Sequence, residues 1–456
     1  MKVLLIAPAW HSPLQGGAPR QKALFPPLAL PLLAALTPPD VQVRLVDEAV
    51  EDVDPGADVD LVGISAMTTQ APRAYEIADV FRGRNAQVVL GGMHPSALPE
   101  EAAQHADAVV IGEAEGVWPR VVEDAQRRRL RRFYVGDGPP DLSALPAPRR
   151  SLLKPAGYVT TAVLQTTRGC PFSCAFCAVS SFFGRTYRFR PVEEVIQEVA
   201  ALRDRLVFFL DDNIVGAPAY AKRLFDRLAD LGKDWVSQAS LTMLKHCALL
   251  RSAARSGCKG LFVGFESLSE GTLRRWGKTF NVATPYWEAI NRLHDLGIGV
   301  IGSFMFGADE DGPDVFERTV DFAERAHLDA AQFSILTPLP GTRLHDEMQR
   351  EGRLIERDWA MYDGGHVVFE PRRMSVERLQ EGFRCALAQA YSLRSILRRT
   401  WDAWLRRPMV LQANLTFRRR VLNYLGRTAG GTEGNPSRRG GAPSRRGHAG
   451  AETGRI

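Results

Sequence analysis

Apolar runs and amphipathic stretches alternate along the first 125 residues. Lys2–Ala7, Val41–Val46, Leu61–Ser65, Gln87–Leu90 and Ala108–Ile111 are short and apolar-rich, and they predict strands buried on both faces. Between them, Ala71 to Arg84 and Trp118 to Arg127 place apolar residues at helical spacing. This alternation predicts an α/β fold whose first domain, residues 1–125, is a doubly wound, Rossmann-like parallel sheet. Such sheets bind ligands beyond the carboxyl ends of their strands. Those ends read Pro8-Ala-Trp-His11, Ser65-Ala-Met-Thr-Thr-Gln70, Gly91-Gly-Met-His-Pro-Ser96 and Gly112-Glu-Ala-Glu-Gly116. Small and hydroxyl residues suit a large, close-fitting ligand there, although ordinary loop composition gives the same signal.

Residues 126–155 are Arg-rich and then carry Pro139, Pro140, Pro146 and Pro148, which predicts a linker. A second alternation follows over 156–340, with strands expected at Thr161–Thr166, Val207–Leu210, Trp235–Ala239, Gly260–Gly264, Val300–Phe306 and Ala331–Ile335. Parallel strands each followed by a helix predict a partial (β/α)6 barrel with its active site at the carboxyl strand ends. A helical region over 341–425 comes next. One helix is expected from Val376 to Tyr391, with Val376, Leu379, Phe383, Leu387 and Tyr391 on one face, and a second from Ser395 to Arg407. Residues 426–456 are rich in Gly, Ser, Pro and Arg and read as a disordered basic tail.

Composition narrows the function class. Six cysteines in 456 residues make no disulfide framework, and the expected compartment is a reducing cytoplasm. The first residues are too short and weakly charged for a secretory signal. Ala23 to Thr37 is apolar but contains Pro26, Pro27 and Pro31 and is too short to span a bilayer. The net charge of +6 is unevenly placed. Residues 394–456 carry 14 Arg against Asp402, Glu433 and Glu452, a net of +11, which leaves −5 for the rest. Basicity confined to one end gives no support for specific nucleic-acid binding.

The chemistry concentrates at the first barrel strand end, in Cys170-Pro-Phe-Ser-Cys174-Ala-Phe-Cys177. Three thiolates at these spacings can occupy three corners of a 4Fe-4S cube, leaving one iron open. Zinc requires a fourth ligand, usually from a second C-x-x-C pair; no fourth cysteine stands nearby, Cys247 and Cys258 lie in helical or loop context, and Cys385 is remote.

This stretch resembles the radical S-adenosylmethionine superfamily, in which the cofactor chelates the open iron and is cleaved reductively to a hydrogen-abstracting radical. The resemblance implies that Cys170, Cys174 and Cys177 are the metal ligands and catalytic centre, that Phe176 lies near the adenine, and that flavodoxin or ferredoxin supplies electrons. Many members carry Gly-Gly-Glu at the second strand end; here it reads Leu210-Asp-Asp-Asn213, which makes Asp211, Asp212 and Asn213 the candidates for binding the methionine ammonium. Gly264-Phe-Glu-Ser267 resembles the segment that helps to hold the cofactor and nominates Glu266. Strand-end capping is the competing role for these carboxylates.

The N-terminal sheet joined by a linker to such a barrel resembles the cobalamin-dependent (class B) members, as do Gly91-Gly-Met-His-Pro, Gly112-Glu-Ala-Glu and Thr337-Pro-Leu-Pro-Gly-Thr342. On that resemblance Ser65, Thr68, Gly91, Gly92, His94, Gly112 and Glu113 are cobalamin contacts. The loop after the first strand lacks the Asp-x-His-x-x-Gly pattern that supplies a lower cobalt ligand in many cobalamin proteins, although it contains His11. The implied activity is methylation of an unactivated carbon of a small molecule, a lipid, isoprenoid or other secondary metabolite. The alternatives are cobalamin-dependent cyclisation or rearrangement and, from another class, a cobalamin-binding regulator, against which the complete cysteine loop argues.

Near the C-terminus, Tyr391 to Arg399 and Trp401 to Arg407 interleave aromatic residues and arginines. This end resembles the hopanoid-methylating relatives, and 394–420 is expected either to touch an anionic membrane surface or to dock with a solvated basic face.

Overall fold

The computed structural model describes residues 1–10, 22–401 and 408–429. His11, part of the second expected C-terminal helix and nearly all of the expected tail lie outside the described residues.

Six parallel strands form the N-terminal sheet: β1 (Lys2–Ala7), β2 (Gln42–Asp47), β3 (Leu61–Ser65), β4 (Gln87–Gly91), β5 (Ala108–Ile111) and β6 (Phe133–Val135), in the order β2-β1-β3-β4-β5-β6. Alternation along each strand sends neighbours to opposite layers. Leu4 and Ile6 pack with Val62, Ile64 and the helix Ala71–Arg82, whereas Val3 and Leu5 pack with Trp118 and the helices Ala29–Leu36 and Trp118–Gln126. The order reverses between β1 and β3, where a doubly wound sheet opens a ligand crevice. Sequence pattern assigns no strand to 126–155, yet β6 lies there. Three residues with one buried side chain, Tyr134, are too few to show a period.

The second sheet is also parallel: β7 (Val163–Leu164), β10 (Leu206–Phe209), β11 (Asp234–Ala239), β12 (Cys258–Glu266), β13 (Gly299–Phe306) and β14 (Ala330–Ile335). Its outer strands, β7 and β14, do not pair with each other, so the barrel is open, as expected of a partial one. Its first strand is shorter than the apolar run Thr161–Thr166 predicts. The chain leaves the sheet after Leu164, and β8 (Thr167–Arg168) instead pairs antiparallel with β9 (Arg188–Phe189). Buried Asp211, at the end of β10, causes the departure by accepting the main-chain N–H and hydroxyl groups of both Thr166 and Thr167.

The helix Val376–Ala390 buries Leu379, Phe383 and Leu387 against the barrel, and Tyr391 donates to the Ala331 carbonyl at 2.7 Å. The following helix is described over Leu393–Thr400. Its Arg399 is buried and donates to the carbonyls of Leu328 and Ala390 and to Asn414 Oδ1, pinning the final helix Pro408–Ala429 in place. That helix extends into the first residues of the expected tail. No helix of the described residues is long and apolar enough to cross a membrane.

Candidate active site

The cysteine loop is held at its neck and at its centre. The β8·β9 ladder closes the neck. There Gly169 adopts φ +84°, and a Cβ at that position would lie 2.1 Å from the Thr186 carbonyl oxygen. At the centre, Ala175 N–H donates to Trp276 O (2.9 Å) and Ala175 O accepts from Leu344 N–H (3.0 Å). Phe172 stacks on Phe280 with centroids 4.0 Å apart, and Phe176 meets Trp276 edge-on at 5.3 Å. Gly169→Ala combines left-handed strain of about 1–2 kcal/mol with that backbone clash. It should displace Cys170 and lower the iron content of reconstituted protein; wild-type iron content would refute the geometry.

The three thiols are free and partly buried. Burial pushes all three up, Cys174 to about 11 and Cys177 to about 12, so the bare loop holds neutral thiols that iron binding would deprotonate. Among the described residues, no three His, Cys, Asp or Glu side chains are arranged to hold a single metal ion. Asn213 Nδ2 lies 4.0 Å from Cys170 Sγ while its Oδ1 accepts from Ser240 N–H, which aims a donor at a sulfur. Hydrogen bonds to cluster sulfurs tune reduction potential.

The two neighbouring carboxylates divide their work. Asp211, a sequence candidate for the ammonium, is instead consumed by the threonine turn. Asp212 faces the loop: burial, then repulsion by Asp211, pushes it up to about 7, and its Oδ2 is buried with no hydrogen-bond partner. An orphaned carboxylate oxygen beside three cysteines fits an incoming ammonium group. Glu266 ends β12 at φ +67°, beyond a register shift, and pairs with Lys278 Nζ at 2.5 Å. Asn281 donates to the carbonyls of Gly264 and Phe265 and leaves a buried Oδ1 unpartnered. Lys278 and Asn281 are candidate contacts that the sequence pattern missed, because isolated polar residues in a loop leave no signature.

Facing this loop is a cavity of about 530 Å³ at the carboxyl ends of the N-terminal strands, within the usual size range of small-molecule sites. Trp10, Thr68, Met93 and Gly112 line one side; Ala178, Ser181 and Phe182, immediately after Cys177, line another; Leu339 to Gly341, Tyr362 and Asp363 complete it. Gly92 at φ +101° allows the tight turn, since a Cβ would lie 2.7 Å from Ala66 O, and open space surrounds Gly112. The main chain at Gly112 is open to a ligand in the cavity, whereas Gly92 shapes the turn and is not among the lining residues. Ser65 and Gly91 pair across β3·β4 and are not among the cavity-lining residues.

Two expected cobalamin contacts have other partners. His94 is fully buried, and its Nε2 meets Tyr75 Oη and Glu101 Oε1, while Trp359 Nε1 donates to the same Glu101 oxygen. Glu113 is ion-paired to Arg168 and Arg188 of the cysteine-loop neck. Both belong to contacts between domains, which local sequence cannot distinguish from ligand contacts.

A B12-binding domain family matches residues 24–122, a radical SAM superfamily model matches 164–323, and a domain family of unknown function matches 342–423. Bacteriochlorophyllide d C-12(1)-methyltransferase of Chlorobaculum tepidum is 32% identical, the match covering 83% of this chain and 85% of the relative. The hopanoid C-2 methylase of Rhodopseudomonas palustris is 28% identical over 74% of this chain and 66% of its own length. The methyltransferase TsrM of Kitasatospora setae, solved with cobalamin and a [4Fe-4S] cluster bound, shares the fold with TM-score 0.66 at 15% identity, covering 93% of this chain and 99% of that one. The chain therefore belongs to the radical S-adenosylmethionine superfamily, in the group of cobalamin-dependent methyltransferases that carry a B12-binding domain.

Proposed function

We propose that this enzyme methylates an unactivated carbon of an apolar small molecule of tetrapyrrole or isoprenoid type. One observation carries the reading: a single cavity is walled by the carboxyl ends of the B12-binding sheet and by the helix that follows Cys177. When bound, S-adenosylmethionine on the cluster supplies a hydrogen-abstracting radical and methylcobalamin supplies the methyl group. Cys170, Cys174 and Cys177 would ligate the cluster, with Asn213 directing an N–H at Cys170. Asp212 would take the methionine ammonium, and Glu266, Lys278 and Asn281 would contact the rest of that cofactor. Thr68, Met93 and Gly112 would form the cobalamin side. Met67, Met93, Phe182 and Leu339 give the cavity a largely apolar wall that excludes water from the reacting groups. Relatives acting on bacteriochlorophyllides and hopanoids support the substrate class. Reconstituted, reduced enzyme given candidate substrates and isotopically labelled S-adenosylmethionine should place the label on carbon; ring closure without label would select the cyclisation reading instead.

We also infer an external donor such as flavodoxin or ferredoxin and a cytoplasmic location with peripheral membrane contact through 394–420. Leu393, Leu397 and Trp401, four residues apart, are 54%, 49% and 63% exposed, with Arg394 next to Leu393 in sequence. Arg399 is excluded from that face by burial, and Arg398 pairs with Glu324. Burying two such side chains is worth about 1.5–3 kcal/mol each. Changing both Leu397 and Trp401 to Asp should therefore weaken flotation with anionic vesicles by at least about tenfold. Unchanged flotation would remove the membrane role of this face.

A further inference from the structure

We propose that Glu113, assisted by Glu115, is a charged clasp that holds the cluster loop in register with the cobalamin cavity. Arg168 and Arg188 face each other across the β8·β9 ladder, where the chain enters and leaves the cysteine loop. Both reach Glu113. Arg168 Nη1 and Arg188 Nη1 donate to Oε2 at 2.5 and 3.3 Å, and Arg188 Nη2 donates to Oε1. Arg168 Nη2 turns to Glu115, and its Nε to Gln165 Oε1 at 3.1 Å. Arg188 Nη1 also donates to the Pro140 carbonyl at 3.0 Å.

The four charged side chains are only 7–18% exposed, and their charges cancel. Exposed ion pairs contribute little to stability. Buried ones gain little over apolar packing of the same volume, and registry is their best-attested use. The registry here is specific. Glu113 follows Gly112, which lines the cavity and whose N–H is held by Ser96 Oγ at 2.9 Å. Arg168 precedes Gly169 and Cys170. One carboxylate therefore stands one residue from the cobalamin wall and, through a single guanidinium, two residues from a cluster ligand. Glu113 and Arg168 are positioning residues: acting through the main chain on either side, they set the separation between the two cofactors.

This inference rests on the two-cofactor reading, and its test does not require the substrate. Reduced cluster and cob(II)alamin each carry an unpaired spin, and their magnetic interaction depends steeply on distance. Holoenzyme carrying Glu113→Gln is expected to retain iron, sulfide and cobalamin at wild-type stoichiometry while losing the defined spin interaction. Glu113→Asp should restore it in part, Glu115→Gln should broaden it, and Glu193→Gln, which breaks an exposed pair with Arg227, should leave it intact. A wild-type interaction in Glu113→Gln overturns the proposal. So does loss of the cluster from both Glu113 variants and Glu115→Gln, because the network then only folds the loop. Wild-type protein that binds no cobalamin would overturn the two-cofactor reading, and the clasp with it.

Discussion

Replacing Cys174 with Ser is expected to leave a folded protein without a complete cluster, whose reductive formation of 5′-deoxyadenosine falls by a thousandfold or more, on the order of 4 kcal/mol in barrier terms. Cys174 sits at the middle of the loop, and the loop's shape does not depend on its sulfur. The Ala175 bonds to Trp276 and Leu344 and the β8·β9 ladder are backbone contacts. The variant should therefore melt near wild type while its iron content and charge-transfer absorption collapse. Exposed Cys247 and Cys385 provide the contrast: their Ser variants should keep cluster and activity. Full cluster occupancy in Cys174→Ser, or its loss in Cys247→Ser, would mean that the ligand set is misassigned.

The second large effect separates two adjacent carboxylates. Asp211 accepts four donors from Thr166 and Thr167 in a fully buried position. All four reach Oδ1, and alanine removes that oxygen. Stranding buried polar groups costs about 1–3 kcal/mol each, so Asp211→Ala should lower thermal stability by about 3 kcal/mol or more and weaken cluster retention as the turn slips. Asp212→Asn should behave in the opposite way. Its Oδ2 already lacks a partner and its charge is held at a cost, so the fold should persist and the cluster should load. Affinity for S-adenosylmethionine should fall about 10- to 100-fold, the scale of a lost charge-assisted hydrogen bond. Anaerobic equilibrium dialysis reads this directly. If Asp212→Asn binds the cofactor as wild type does, Asp212 is not the ammonium site.

The same pair shows what a chain discloses before it is folded. Strands with two buried faces announce themselves, and Leu61–Ser65 and Ala108–Ile111 appear where their apolar runs place them. β6 offers one buried residue and stays silent. The three cysteines are legible because their chemistry depends on spacing along the chain. The direction of an individual carboxylate is a different matter, because it depends on which distant donor reaches it. Asp211 and Asp212 are indistinguishable as letters, and only the detour of Thr166 and Thr167 separates them. His94 and Glu113 sit in glycine-flanked segments that suggest a ligand, yet their partners, Trp359 beside Glu101 and the two arginines, come from beyond the N-terminal sheet. Lys278 becomes noticeable only when Glu266 is seen against it.

The walls of the cavity also carry a timetable. Trp10, Thr68 and Met93 leave the ribosome early, whereas Leu339 to Gly341, Tyr362 and Asp363 emerge only after the barrel strands, and domains generally fold in the order in which they appear. The nascent B12-binding sheet is thus an open half-vessel until its far wall arrives and Trp359 settles against Glu101. A cobalamin held in this cavity would therefore be enclosed only once the segment beyond the barrel strands has been made.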